Sequence, residues 1–72
     1  MITLDVRGLL CPLPVIKTQN QIQQMQPGEQ LTVICSDPGA LQDIPAWCRV
    51  HNHILMSAEK IEREVVIVIA VQ

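Results

Sequence analysis

The residue of this sequence best placed for chemistry is Cys11. It lies in the stretch LLCPLPVIK, residues 9–17, directly before Pro12 and close to Pro14. Proline fixes the backbone angle φ, so these two residues restrict the directions in which the cysteine side chain can point. Proline is also accepted in the first turn of a helix, where its missing N–H would have no helical partner. We therefore predict that Cys11 is the N-cap of a helix or immediately precedes it.

The start of a helix favours the charged form of a cysteine. Its unpaired backbone N–H groups and the positive end of its dipole stabilise a thiolate, which is the nucleophilic form. Arg7, four residues upstream across Gly8, could add a positive charge. We expect Cys11 to be a reactive nucleophile. The alternative is an inert cysteine that closes a turn as a small apolar residue.

The other two cysteines are expected to be structural. Cys35 ends an apolar strand pattern and Cys48 lies on the apolar stripe of a helix pattern. Three cysteines are an odd number and no CxxC pair occurs, so neither a disulfide framework nor a zinc site is predicted.

The remaining polar residues give weaker signals. His51 and His53 are two positions apart, a spacing that does not bring side chains together on a helix, and no third ligand accompanies them, so no metal site is expected. Asp5 and Asp43 are interpreted as caps of backbone donors, and Trp47 as core or rim packing. No glycine-rich phosphate loop or serine triad occurs, and no cofactor is expected.

Composition excludes several classes of function. The 72 residues allow one domain, residues 1–72. The net charge is −2, the five Lys and Arg are scattered, and one Trp is the only aromatic residue, so direct nucleic-acid binding is not expected. No window approaches the roughly 18 apolar residues of a membrane span, and the N-terminus does not read as a signal segment. We expect a cytoplasmic protein that does not bind membranes.

The first half of the chain predicts strand, helix, strand. Residues 2–6 form a short β-branched run, and Gly8 allows a turn. From Pro12 to Pro27-Gly28 apolar and small residues recur at helical spacing. The recurring positions are Val15, Thr18, Ile22 and Met25. Residues 31–35, LTVIC, predict the second strand.

The second half predicts a helix and two strands. The helix pattern falls on Leu41, Ile44, Cys48 and His51. Pro45 indicates a break or restart near Asp43. Residues 54–58 and 65–71 predict the last two strands.

This order, β-α-β-α-β-β, predicts a two-layer α/β sandwich, also describable as α+β, with both helices packed on one face of a single sheet. The first two strands should be parallel neighbours or near neighbours. The last strand is apolar throughout, so it is either central or covered on both sides, and an open apolar sheet face is the other interpretation.

Three segments of the chain resemble a known family. LDVRGLLCPLP (4–14), MQPGEQL (25–31) and SDPGALQDIPAWC (36–48) are similar to the TusA-type (SirA-like) sulfur carriers, and the likeness covers nearly the whole chain. The family has a two-layer α/β sandwich with a four-stranded mixed sheet. The resemblance implies that Cys11, framed by Pro12 and Pro14, carries sulfur as a persulfide, with Asp5 and Gly8 matching the residues that lead into the motif.

The resemblance also implies partners. Sulfur would come from a cysteine desulfurase or a rhodanese-like protein and pass to another thiol carrier, in tRNA thiolation, sulfur oxidation, cofactor sulfuration or selenium metabolism. Family members that serve tRNA thiolation have Arg at the position of Leu10 and Glu at the position of Leu13, so this chain departs from the resemblance at both positions. The surface around Cys11 is therefore expected to be less charged, and the pathway stays open. Such a protein is sulfurtransferase-like, and whether it is called an enzyme is partly convention.

Two other functions remain open at this point. The apolar strand 65–71 could belong to a regulatory module that binds a protein partner or a second copy of the chain. Cys11 could instead be a redox sensor that oxidises to sulfenic acid.

Overall fold

The predicted element order is confirmed. The structure, a computed structural model, describes residues 2–72. Its elements are β1 (Ile2–Val6), α1 (Leu13–Ile22), β2 (Gln30–Cys35), α2 (Ala40–Val50), β3 (Ile54–Ile61) and β4 (Glu64–Ala70). None of the helices in this range is long and apolar enough to cross a membrane.

The four strands form one mixed sheet in the order β1-β2-β4-β3. β1 and β2 are parallel neighbours, as predicted, and β4 is antiparallel to both β2 and β3. The apolar strand β4 is therefore central. Its Val65, Ile67 and Ile69 are buried, and the residues between them are only half-buried, because successive side chains of a strand point to opposite faces.

The core lies between the sheet and the two helices and is aliphatic. Leu31 and Val33 of β2, Ile67 and Ile69 of β4, and Ile44 of α2 are all fully buried. Ile22 of α1 belongs to the same core as Ile44, so both helices pack against the sheet through buried aliphatic side chains.

The predicted break at Pro45 is wrong. α2 runs without interruption from Ala40 to Val50 with Pro45 inside it. Proline removes one helical hydrogen bond, but Ile44 and Cys48 on either side are completely buried. Tertiary packing of that apolar stripe supplies most of the stability of such a helix, so it continues past the proline.

Two element boundaries differ from the prediction by three residues or more, whereas β2 and β4 differ by one residue. α1 ends at Ile22, well before Pro27. The chain then continues with turns whose hydrogen bonds span three residues: Gln24 donates its N–H to the carbonyl of Gln21, and Met25 donates to the carbonyl of Ile22. β3 extends to Ile61, three residues further than predicted, because its pairing with β4 continues to Glu64.

Candidate functional site around Cys11

Cys11 lies in the loop from β1 to α1, next to the loop from β2 to α2. Because β1 and β2 are parallel, the helices that follow them start at the same edge of the sheet. Hydrogen bonds join the two loops: Gly8 donates its N–H to Oγ of Ser36 at 2.8 Å, and Cys11 donates its N–H to Oδ2 of Asp37 at 2.9 Å. Gly8 has a φ of +84°, which glycine adopts without strain.

The prolines around Cys11 have different positions in the fold. Pro12 is the N-cap residue of α1, so Cys11 lies one residue further from the helix than predicted, and the peptide bond between them is cis. Pro14 is fully buried, and its carbonyl accepts a hydrogen bond from Oγ1 of buried Thr18 at 2.8 Å. Pro14 thus anchors the start of α1 in the core, while Cys11 stays exposed.

Arg7 does not supply a positive charge to Cys11, contrary to the expectation. Its guanidinium lies 2.8 Å from Oδ2 of Asp5 and 2.9 Å from Oε2 of Glu64. Asp5 also accepts the backbone N–H of Arg7 at 3.0 Å, so its predicted capping role is confirmed. These contacts tie the end of β1 to the start of β4.

The charges that do reach Cys11 are negative. The Asp43 side chain is the largest cause of a Cys11 pKa above its ordinary value, followed by loss of solvation and the Asp37 carboxylate. This direction is opposite to the expected stabilised thiolate, because nearby carboxylates disfavour a further negative charge. Asp43 was expected only to cap a backbone donor.

The role of Asp37 at this site was missed in the sequence. A usable signal was present: Asp37 follows the second of two parallel strands, and the carboxyl ends of parallel strands meet at one edge of the sheet. Cys11 follows the first of those strands. Asp37 also accepts the N–H of Gly39 with Oδ1 at 3.0 Å, so one carboxylate holds both loops.

The rim of the site is apolar. Leu10 is 71% exposed, and Leu13 and Ile16 are each 44% exposed. The expectation that Leu10 and Leu13 leave this surface less charged agrees with their exposure. Large exposed apolar side chains close to an exposed thiol are typical of a surface that another molecule covers.

Cys35 and Cys48 are structural, as predicted. Both are completely buried, and burial raises the pKa of each thiol to about 11. Neither is accessible to a partner in the folded chain, so Cys11 is the one exposed thiol of the three.

A second group of side chains lies at the other ends of the helices. The rings of His51 and His53 both pack against Trp47, with centroids 4.7 Å and 5.3 Å away. The spacing argument missed this because His53 lies beyond the end of α2. Nδ1 of His53 accepts the N–H of Gln72 at 3.2 Å. Within residues 2–72 no three potential ligands are grouped to hold a metal ion.

Trp47 should report the protonation of His53. Burial and neighbouring His51 lower the pKa of His53 below its usual 6.5. A protonated imidazole quenches a stacked indole, so we expect Trp47 fluorescence to fall as the pH drops, with a midpoint below 6.5. His53→Gln should reduce the size of this fluorescence change, and His51→Gln should move the His53 midpoint upwards. A midpoint unaffected by His53→Gln would contradict the assignment.

The Asp5–Arg7 pair should contribute to stability in a defined pH range. The Arg7 side chain and then its backbone N–H lower the pKa of Asp5 from 3.8 to about 2. A depressed pKa in the folded state stabilises the fold above 3.8, and that contribution is lost as the pH falls towards 2.

In thermal unfolding series, Asp5→Asn should therefore be less stable than the wild type at neutral pH and lose less stability between pH 4 and pH 2. The exposure of the pair makes the effect small. Parallel pH profiles for the two proteins would contradict this assignment.

Comparisons with known proteins place the chain among sulfur-transfer proteins. A family profile described as "Sulfurtransferase TusA" matches residues 2–71. Two proteins of Neisseria meningitidis, from serogroups A and B, carry provisional names as sulfur carrier proteins. Each is 47% identical over 58 residues, which are 81% of this chain and 78% of the relative.

Two further relatives differ in what they show. A protein of Aquifex aeolicus with a similar provisional name is 45% identical over 58 residues, but the matched part is only 29% of that protein. The crystal structure of a SirA-like protein from Desulfitobacterium hafniense matches with a TM-score of 0.84, covering 97% of this chain and 96% of that one at 24% identity. At that identity the likeness shows the fold, and the predicted two-layer α/β sandwich is confirmed.

Proposed function

The chain belongs to the TusA sulfurtransferase family, and on that basis we propose that it is a sulfur carrier that holds sulfur as a persulfide on Cys11. The observation that carries the proposal is exposure: Cys11 is exposed in a loop fixed on both sides, and Cys35 and Cys48 are completely buried. Relatives with provisional sulfur-carrier names support the same role.

Loading and unloading each need one exchange at sulfur. The Cys11 thiolate attacks the outer sulfur of a donor persulfide, a new S–S bond forms, and the donor cysteine leaves as a thiolate that takes up a proton. Cys11 is then Cys–S–SH. An acceptor thiolate attacks the outer sulfur and releases Cys11 again. The sum is a persulfide and a thiol exchanging one sulfur atom, so no oxidant and no second cysteine of this chain are needed.

The supporting residues act by fixing the loop. Pro12 caps α1 and Pro14 anchors it in the core. Gly8 makes the turn and binds Ser36. Asp5 and Arg7 contact each other instead of the thiol, so they serve the fold of this edge of the sheet.

The apolar rim suggests how partners recognise the carrier. Leu10, Leu13 and Ile16 are exposed beside Cys11, so a donor or acceptor that docks there presents an apolar surface around its own reactive sulfur. The donor class is a cysteine desulfurase or a rhodanese-like protein, and the acceptor is a further thiol carrier. A free thiol that must stay reduced between reactions fits the cytoplasm.

Intact-protein mass spectrometry tests the proposal. The wild type is incubated either with a cysteine desulfurase and cysteine, or with a rhodanese and thiosulfate. We expect a mass gain of one sulfur atom with at least one donor, reversed by a thiol reductant and located on the peptide that contains Cys11. A gain that peptide mapping locates on Cys35 or Cys48 would overturn the site assignment, and no gain with either donor would count against the carrier function.

Of the two alternatives, the redox sensor has less support. Sensor cysteines are thiols of low pKa, and Cys11 has a raised one. Protein binding through the sheet has a specific observation in its favour, because edge strand β3 exposes Ile54, Met56 and Ile61. Truncating these side chains should then abolish partner binding, which Cys11→Ser would leave intact.

A further inference from the structure

Two carboxylates, those of Asp37 and Asp43, act on Cys11 where the two loops meet. Oδ2 of Asp37 accepts the backbone N–H of Cys11 at 2.9 Å. The Asp43 carboxylate is the main cause of the raised pKa of the Cys11 thiol, and the Asp37 carboxylate adds to it. The two carboxylates lie on either side of Gly39. A methyl group added to Gly39 would be 3.4 Å from Oδ1 of Asp37 and 3.6 Å from Oδ2 of Asp43.

Both acids lie at the start of α2 or in the loop before it. Asp43 lies in the first turn of α2, near the positive end of the helix dipole. Asp37 accepts the backbone N–H groups of Cys11 and Gly39. The cation closest in sequence, Arg7, is bound to Asp5 and Glu64. The groups that act electrostatically on the Cys11 thiol are thus both acidic.

We propose that Asp43 determines which reagents Cys11 reacts with: it holds the proton of Cys11 in the unloaded carrier, and a partner that brings a positive charge to Asp43 releases the thiolate. The proposal rests on the carrier function and adds a rule for choosing partners. It assigns to the docking partner a Lys or Arg placed beside its reactive sulfur, within an apolar surround.

The physical basis is the cost of placing a third negative charge beside two others. A neutral oxidant or alkylating agent leaves both carboxylates unpaired, so Cys11 stays a thiol and reacts slowly. A cation at Asp43 offsets that repulsion. Leu10, Leu13 and Ile16 around the site are covered when a partner docks, and the exclusion of water strengthens the interaction between the charges. The thiol proton passes to the leaving thiolate of the donor or to solvent, so the exchange stays balanced.

Two small disulfides of different charge test the rule without any sulfur donor. Cystamine carries two ammonium groups, and 2-hydroxyethyl disulfide is neutral and of similar size. Their rates of exchange with Cys11 are followed at neutral pH by mass spectrometry, on wild type and Asp43→Asn.

We expect the wild type to favour cystamine over the neutral disulfide more strongly than the variant does, by roughly threefold or more. A change of one pKa unit alters the thiolate population about tenfold, and the lower nucleophilicity of a less basic thiolate offsets part of this. Asp43→Asn should also react faster with the neutral disulfide.

Matched variants isolate the charge of Asp43. Glu59→Gln removes one negative charge from exposed β3 and should leave the rate ratio at the wild-type value. Asp43→Glu keeps the charge and should restore most of the preference for cystamine. An equal ratio in wild type and Asp43→Asn, or a variant that reacts more slowly with both disulfides, would overturn the proposal.

The wild type alone provides a second test that does not depend on how a variant folds. Raising the ionic strength from about 0.01 M to about 1 M shortens the screening length from about 30 Å to about 3 Å. The preference for cystamine should fall steeply over this range, and a preference independent of salt would refute the role of the carboxylate. Neither test uses persulfide chemistry, so failure of this rule and failure of the carrier function are separate results.

Discussion

Replacing Cys11 with serine is expected to abolish sulfur loading completely and to leave the fold unchanged. A hydroxyl cannot form the S–S bond of a persulfide, so no transferable sulfur should appear with any donor. Cys11 is exposed, and substitutions at exposed positions usually change the free energy of unfolding by no more than about 0.5 kcal/mol. Intact-protein mass spectrometry measures loading, and circular dichroism with thermal unfolding measures the fold.

A buried cysteine offers the matched control. Cys48→Ala removes a thiol from the core and should lower stability slightly, but the variant should still take up one sulfur atom. The assignment fails if Cys11→Ser is loaded to the wild-type level. It also fails if Cys48→Ala folds normally and takes up no sulfur, since the carrier would then need a residue that no partner can reach.

Replacing Ile67 with alanine is expected to unfold most of the protein. Ile67 is fully buried in β4, paired on one side with Val33 of β2 and on the other with Ala58 of β3. Truncation of a buried isoleucine to alanine costs about 2–5 kcal/mol. A core of this size supplies about 3–5 kcal/mol of net stability, so one such cavity removes most or all of it. Urea unfolding followed by circular dichroism measures the loss.

Two further variants test whether burial is the cause. Ile67→Val leaves a smaller void and should cost about 0.5–1.5 kcal/mol, so that variant should stay folded. Ile61→Ala lies on β3 where the side chain is 53% exposed, and its unfolding midpoint should stay close to that of the wild type. Equal midpoints for Ile67→Ala and Ile61→Ala would show that this core position does not carry the stability.

Local patterns alone allow the element order and most of the buried residues to be predicted, although His51 of the predicted α2 stripe is exposed. Gly8 and Pro27-Gly28 lie between segments with different hydrophobic periods. These turn residues therefore mark the boundaries of the first three elements. The helical stripe through Ile44 and Cys48 and the apolar strand around Ile67 are buried as expected. These predictions succeed because burial depends on a period of 3.6 or 2 residues, which a short segment already contains.

Predictions that depended on packing or pairing with another element were less accurate. A proline inside a helix indicates a break, but the burial of Ile44 and Cys48 outweighs the hydrogen bond that Pro45 removes. β3 continues to Ile61 because β4 is long enough to pair with it. In both elements the deciding contact is with another element, so the local sequence does not contain it.

The division is clearest at the candidate site. The sequence by itself determined that Cys11 is framed by prolines at the start of a helix, because those constraints act between neighbours in the chain. Only the tertiary structure decided which charges meet the thiol. Arg7 is four residues away but turns to Glu64, while Asp37, which lies 26 residues from Cys11, binds its backbone across the joined loops. Electrostatic interactions depend on distance in space, and the parallel pairing of β1 and β2 is what brings the two loops together.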